Sequence, residues 1–300
     1  MVNNNSPLVL ALRRFTRHKL AMTSGMVLLV MILLALCAPL FEIWLGVGAN
    51  DVNLLNRLQG PSLAHPLGTD ELGRDQFLRL LYGGRVSLFV GFTAAVFSVV
   101  IGTVIGLTAG YFGGRVDAFL MRMTDSFIAL PGLPLLIVIA AIDLSKLGLP
   151  DAWVQSESVS LYRIVFIVAL LGWTGEARLV RGAALSLRER EFVMAAKGAG
   201  ASHRHIMFHH ILPNLLSPII VAVTLSIGGV ILVESALSFL GLGIQPPVAS
   251  WGNMLTNAQQ LIWEAPMQAV YPGLMIFITV IAFNFLGDGL QDAFDPKAEY

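Results

Sequence analysis

Long apolar runs punctuated by short polar segments organise this chain, and their lengths set its class. A helix needs about 20 predominantly apolar residues to cross the ~30 Å hydrocarbon core of a bilayer. Six runs approach that length, at 20–40, 85–111, 127–146, 161–180, 212–233 and 269–287. They predict an all-α, polytopic membrane helical bundle of six transmembrane helices, with both termini on one side. The first run is longer than the apolar core of a secretory signal peptide. Leu34-Ala-Leu-Cys37 also has Leu where cleavage requires a small residue, so the run is expected to remain as a span.

The runs are not uniform. Gly102, Gly106 and Gly110 recur every four residues along one face of the second run, which lets another backbone approach closely; a packing face is expected there rather than a pore lining. Ala129-Leu-Pro-Gly-Leu-Pro134 opens the third. Its two prolines remove donors and either unwind the helix start or form a tight turn before it. Two longer polar segments, 41–84 and 238–268, join runs on the same side. In the first, His65-Pro-Leu-Gly-Thr-Asp-Glu-Leu-Gly-Arg-Asp75 gathers a histidine and three carboxylates, a set compatible with a cation site. Thr69 or Asp70 followed by apolar and basic residues reads instead as a capped amphipathic helix, Glu71 to Leu81, lying on the membrane surface.

Composition agrees with the pattern. Of 300 residues, 56% are hydrophobic and 13% charged, against roughly 25% charged in soluble domains. The formal net charge is zero, so no overall basic field exists to attract nucleic acid, and no nucleic-acid partner is expected. The placement of cations carries more. With the N-terminus inside, Arg13, Arg14, Arg17, Lys19, Arg115, Arg122, Arg178, Arg181, Arg188, Arg190, Lys197, Arg204 and Lys297 fall on inside segments. Arg57, Arg74, Arg79, Arg85, Lys146 and Arg163 fall outside or at the outer boundary, the bias expected for inside termini. The resulting organisation is an inside segment 1–19, a first span 20–40, an outside loop 41–84 with its amphipathic helix, a five-helix core 85–287 that includes an inside loop 188–212, and an inside tail 288–300.

Catalytic chemistry is sparse. The four lysines follow His18, Ser145, Ala196 and Pro296, so none completes a P-loop and ATP hydrolysis would require another polypeptide. His-Glu-x-x-His, Cys-x-x-Cys and Gly-x-Ser-x-Gly are absent, and Cys37 is the single cysteine. His203, His205, His209 and His210 form the best candidate for metal-based enzyme chemistry, because 205 and 209 lie one helical turn apart. No carboxylate stands at a companion spacing, which favours a solvated cationic helix facing a partner. Glu234 ends an apolar run, where ionisation is costly. It is expected to face protein or a water-filled pathway or gate, or to sit at the interface. Asp125, Asn284 and Asp288 lie near inner span ends and read as boundary and inter-helix contacts.

One polar element remains. Glu191-Phe-Val-Met-Ala-Ala-Lys-Gly-Ala-Gly200 predicts a short helix of apolar and small residues and a double glycine break at Gly198 and Gly200, followed by a second, basic helix ending at Pro213. This resembles the EAA loop of ABC-importer permeases, which docks into a groove on an ATPase. Ala195, Ala196, Gly200, Leu212 and Pro213 fit the family spacing. Met194 occupies the usual Glu position, with the acid three residues earlier at Glu191, and His210 stands where Ile is usual. Together with Gly84-Arg-Val-Ser-Leu88, Glu234-Ser-Ala-Leu-Ser-Phe-Leu-Gly-Leu-Gly243, Pro246-Pro-Val-Ala-Ser-Trp-Gly-Asn253 and the segment from Asn284 to Pro296, it makes nearly the whole chain resemble the dipeptide, oligopeptide and nickel ABC-importer permeases, of the dipeptide permease C type.

The resemblance implies a type I ABC-importer permease in a bacterial inner membrane, multi-pass and with cytoplasmic termini. It implies a homologous permease subunit, two ABC ATPase subunits, an extracytoplasmic substrate-binding protein and surrounding membrane lipid as partners. It places ATP and Mg in the ATPases and no cofactor in this chain. ATPase coupling is assigned to Glu191, Ala195, Ala196, Gly198, Gly200, His205, Leu212 and Pro213. Di- or oligopeptide cargo is expected, with nickel or another small solute as the alternative. A passive channel or ion-coupled carrier is the competing reading. It would place ionisable relays in mid-span, where this chain has few.

Overall fold

The computed structural model describes residues 7–147, 150 and 156–294. Lys297, residues 1–6 of the first segment and residues 295–300 of the tail lie outside the described residues. Among those described, ten helices carry the fold: α1 (Pro7–Arg17), α2 (Lys19–Leu36), α3 (Ala38–Leu45), α4 (Gln76–Phe112), α5 (Gly114–Ala129), α6 (Gly132–Ala140), α7 (Glu157–Arg188), α8 (Glu191–Gly198), α9 (His203–Phe239) and α10 (Met267–Phe294). Single helical turns and loops fill the rest.

Five of these, α2, α4, α7, α9 and α10, are long and apolar enough to span a membrane. The ends of the bundle supply the sixth crossing. His18 caps α2, accepting from Ala21 N–H, and its Nε2 lies 3.6 Å from Asp292 Oδ2 in the last turns of α10. The start of the first span and the end of the last therefore share one end of the bundle, which requires an even number of crossings. The pair α5–α6, bent by 82°, provides the missing one.

Proline causes the bend. A residue preceding proline is driven out of the helical region, and Leu130, before Pro131, is extended at φ −77° and ψ 139°. The run expected as one span at 127–146 is thus broken, and its second half ends at Ala140. Arg163 of α7 caps that end, donating to the Ala140 and Ile142 carbonyls.

Three further expectations are corrected. No separate amphipathic helix covers Glu71 to Leu81. Gly73, at φ +73°, closes a turn, and Asp70 accepts from the Leu72 and Arg74 amides within it. Asp75 then caps a helix that starts at Gln76 and runs unbroken for 37 residues, so the boundary drawn at 84/85 falls inside α4. The carboxylates of this stretch hold the loop together: Asp70 binds Arg74 at 2.7 Å and Asp75 meets His65 Nδ1 at 2.9 Å.

Second, the basic helix does not end at Pro213 but continues to Phe239. Residues Ile206–Ile211 are π-helical, with Leu212 N–H bonding Met207 C=O five residues back. This change of register absorbs the donor that Pro213 lacks, and Asn214 Nδ2 bonds the His210 carbonyl at 2.7 Å. Third, Gly198 is helical; the break falls at Gly200 alone, at φ +81°.

The centre of the bundle is the α4–α7 pair. A Cβ at Gly102 would approach the Trp173 carbonyl to 2.8 Å, one at Gly106 would strike the Ala177 carbonyl, and one at Gly110 would lie 2.8 Å from the Arg181 carbonyl. Only hydrogen at these positions lets the two backbones touch over successive turns, as the four-residue glycine spacing anticipates.

Candidate functional site

The element from Glu191 to Leu212 sits at the end of the bundle where α4 and α7 terminate, over a small apolar core of its own. Val193, Ile206 and Ile211 are fully buried against Leu107, Tyr111, Val180 and Ala184 of α4 and α7. Helix α8 closes with a Schellman-type turn, in which Ala201 N–H bonds Ala196 C=O at 3.1 Å and Gly200 takes the left-handed position. Ser202 restarts the chain as an N-cap, accepting from His205 N–H at 3.3 Å.

Most sequence-predicted coupling residues surround this turn. Glu191 opens α8 and is exposed, well placed against the positive helix N-terminus. Ala195, Gly198 and Gly200 are exposed, and no atom lies within 4 Å of a Cβ placed on either glycine. Ala196 and Leu212 are half-buried and pack on the small core, whereas Pro213 is exposed on α9. The ring of His205 stacks on His209 at 4.3 Å and meets His210 edge-on at 5.5 Å. On α8 only Val193 is buried. Phe192 and Met194, 42% and 58% exposed, present an apolar face, with the Phe192 ring 6.4 Å from that of His210.

Fixed contacts connect this element to the spans. Tyr111, in the last turn of α4, bonds His203 at 2.8 Å, carries the Lys197 ammonium 5.4 Å over its ring and accepts from Arg188 at 3.4 Å. On the adjoining face of α7, Arg181 forms a two-point pair with Asp117 of α5, and Arg178 reaches Asp125 at 2.5 Å. Asp125 is an inter-helix contact, as expected from its position.

Glu234 lies far from the coupling turn, about 30 residues along α9 from His203 and so on the order of 45 Å away. It is fully buried. Two relays converge on its carboxylate: Trp251 N–H donates to Ser87, which donates to Oε2, and Ile244 N–H donates to Ser238, which donates to Oε1. Trp251 Nε1 also bonds the Leu80 carbonyl at 3.0 Å. One side chain thereby ties α4, α9 and the loop after α9, with no surface open to solvent in this conformation.

Glu176 escaped the sequence reading. It lies on α7 between Gly175 and Ala177, and its Oε1 accepts from Ser226 of α9 at 2.5 Å. The signal was present as a carboxylate inside an apolar run, which favours a polar partner on a neighbouring helix.

Comparison with known proteins fits this geometry. Residues 102–300 match the family described as binding-protein-dependent transport system inner membrane component, and residues 6–61 match the N-terminal TM domain of oligopeptide transport permease C. The chain is 43% identical to the dipeptide transport system permease protein DppC of Alkalihalophilus pseudofirmus, over 97% of this chain and 90% of that protein. It is 38% identical to the oligopeptide transport system permease protein OppC of Bacillus subtilis, over 96% and 88%. It is 41% identical to the glutathione transport system permease protein GsiD of Pectobacterium atrosepticum, over 95% and 89%. An all-helical bundle with a helix–turn–helix seated between its spans, matched over nearly its full length, therefore belongs to the binding-protein-dependent transport system inner membrane components, the permease subunits of ABC importers.

Proposed function

We propose that this permease carries di- or oligopeptides across a bacterial inner membrane, with both termini cytoplasmic and α8 on the cytoplasmic face. It works beside a homologous permease, two ATPase subunits that bind ATP and Mg, and an extracytoplasmic substrate-binding protein. The peptide assignment follows the names of its relatives. Coupling is assigned to α8, its flanking turn and the residues Glu191, Ala195, Ala196, Gly198, Gly200, His205, Leu212 and Pro213, and the core from α4 to α10 forms the translocation path with the partner permease.

One observation carries this reading. Helix α8 packs inward through Val193 and the half-buried Ala196 and offers Phe192, Met194 and Ala195 outward, an apolar ridge that a groove on another protein would cover. When such a groove moves, α8 moves as a rigid body, and the α4–α7 pair follows because its backbones are in contact.

The test is mass spectrometry of proteins that co-purify with the chain in mild detergent. Met194→Asp changes only an exposed position, so the second permease is expected to remain while the ATPases are lost. Full retention of ATPases and normal peptide uptake in Met194→Asp would remove α8 as the docking helix.

A further inference from the structure

A cavity of about 720 Å³ opens at the end of the bundle opposite α8, between α2, α3, the first turns of α4 and the start of α7. Its lining is graded. Glu42, Asp51 and Arg85 stand toward the end of the bundle, while Ile32, Leu36 and Phe89 line it a turn deeper along α2 and α4 and leave much of their surface open. Trp44, 75% exposed on α3 beside Glu42, marks the level at which amphipathic aromatic rings meet the headgroup region. The polar rim lies at headgroup depth and the apolar part at acyl depth.

The charged groups of the rim are unequally satisfied. Glu42 is held in place, accepting from Ala49 N–H at 3.2 Å and from the Tyr82 hydroxyl. Asp51 accepts from Gly48 N–H at 2.7 Å. Arg85 is exposed and forms no ion pair among the described residues; its guanidinium rests 5.7 Å over the Tyr82 ring. A guanidinium at a membrane boundary is a fork-shaped donor suited to two oxygens of one phosphate.

We infer that this cavity binds a zwitterionic, ethanolamine-type phospholipid. Arg85 takes the phosphate, Glu42 and Asp51 face the ammonium, and an acyl chain runs past Ile32, Leu36 and Phe89. Free phosphate matches Arg85 but leaves the apolar half uncovered, and an anionic headgroup meets two carboxylates. With the orientation proposed above the lipid belongs to the outer leaflet; the match of charges to headgroup does not depend on that orientation.

The test is quantitative lipid mass spectrometry on the intact complex purified in mild detergent, compared with the bulk membrane of the same cells. Ethanolamine phospholipid is expected to be enriched in the wild-type complex and to fall by about tenfold in Arg85→Ala, the effect of one lost charge-assisted contact. Ile32→Trp, which narrows the apolar half without touching the rim, is expected to lower the same lipid and decides the matter if Arg85→Ala does not assemble. Lipid in the proportions of the bulk membrane, or enrichment unchanged in both variants, overturns the proposal. Enrichment of an anionic phospholipid instead overturns the ethanolamine assignment. Loss of the ATPases in Met194→Asp without change in bound lipid separates this site from the coupling reading.

Discussion

The Tyr111 hydroxyl lies 2.8 Å from His203 Nδ1, joining the last turn of α4 to the first residue of α9 across the coupling turn. Lys197 over the ring and Arg188 at the backbone carbonyl converge on the same tyrosine, so the segments on both sides of α8 meet at one residue. Because α4 and α7 touch through glycines, the proposed displacement of α8 would reach two spans at once.

Tyr111→Phe keeps the ring contacts and removes the hydroxyl. One net hydrogen bond is worth about 1 kcal/mol, roughly a factor of five in an equilibrium. Peptide uptake per ATP hydrolysed in proteoliposomes is expected to fall by up to about that factor, with ATPases still bound. An unchanged ratio would show that the linkage at Tyr111 transmits nothing.

Gly106→Ala forces a methyl toward the Ala177 carbonyl, and overpacking of this kind costs about 1–3 kcal/mol. The thermal midpoint in detergent is expected to drop. Gly182→Ala on α7 meets no atom within 4 Å and is expected to hold or raise it. Equal midpoints for the two variants would contradict the close contact of α4 and α7.

Glu234→Leu leaves the Ser87 and Ser238 hydroxyls without their acceptor, at about 1–3 kcal/mol for each buried group. Hydrogen exchange at the Ile244 and Trp251 amides is expected to quicken. Glu234→Gln, which retains one acceptor oxygen, should fall between wild type and Leu. The relay would be excluded by native-like exchange in Glu234→Leu.

Ser226→Ala removes the donor to Glu176 and leaves a carboxylate between α7 and α9 without it. Loss of about 1–3 kcal/mol is expected, largely restored by the double variant with Glu176→Leu, because replacing both partners by apolar groups is nearly neutral. Thermal unfolding of the single and double variants measures this coupling directly.

Much of the fold was legible because membrane insertion is governed by local composition. Run length identified the spans, the Gly102–Gly110 spacing identified a close-packing face whose partner α7 only the structure supplied, and Pro131 marked the bend. Boundaries were less legible. Asp75 rather than Thr69 or Asp70 caps α4, since Asp70 is engaged by its own loop, and nothing in local sequence ranks the three nearby candidate caps. Pro213 looked like a helix end because the π-helical register that accommodates it depends on Ile206 and Ile211 being buried beneath α4 and α7.

The site divides in the same way. By itself, the sequence determined a six-run membrane chain without a P-loop and a polar helix–turn–helix near residue 200, since apolar length, glycine placement and missing motifs are properties of neighbouring residues. Only the tertiary structure decided that Tyr111 grips that element, that Glu234 is enclosed by Ser87 and Ser238, and that Glu176 meets Ser226. Those partners stand 92, 147, 4 and 50 residues apart, and three of the four pairs come together only when helices pack, which no local pattern encodes.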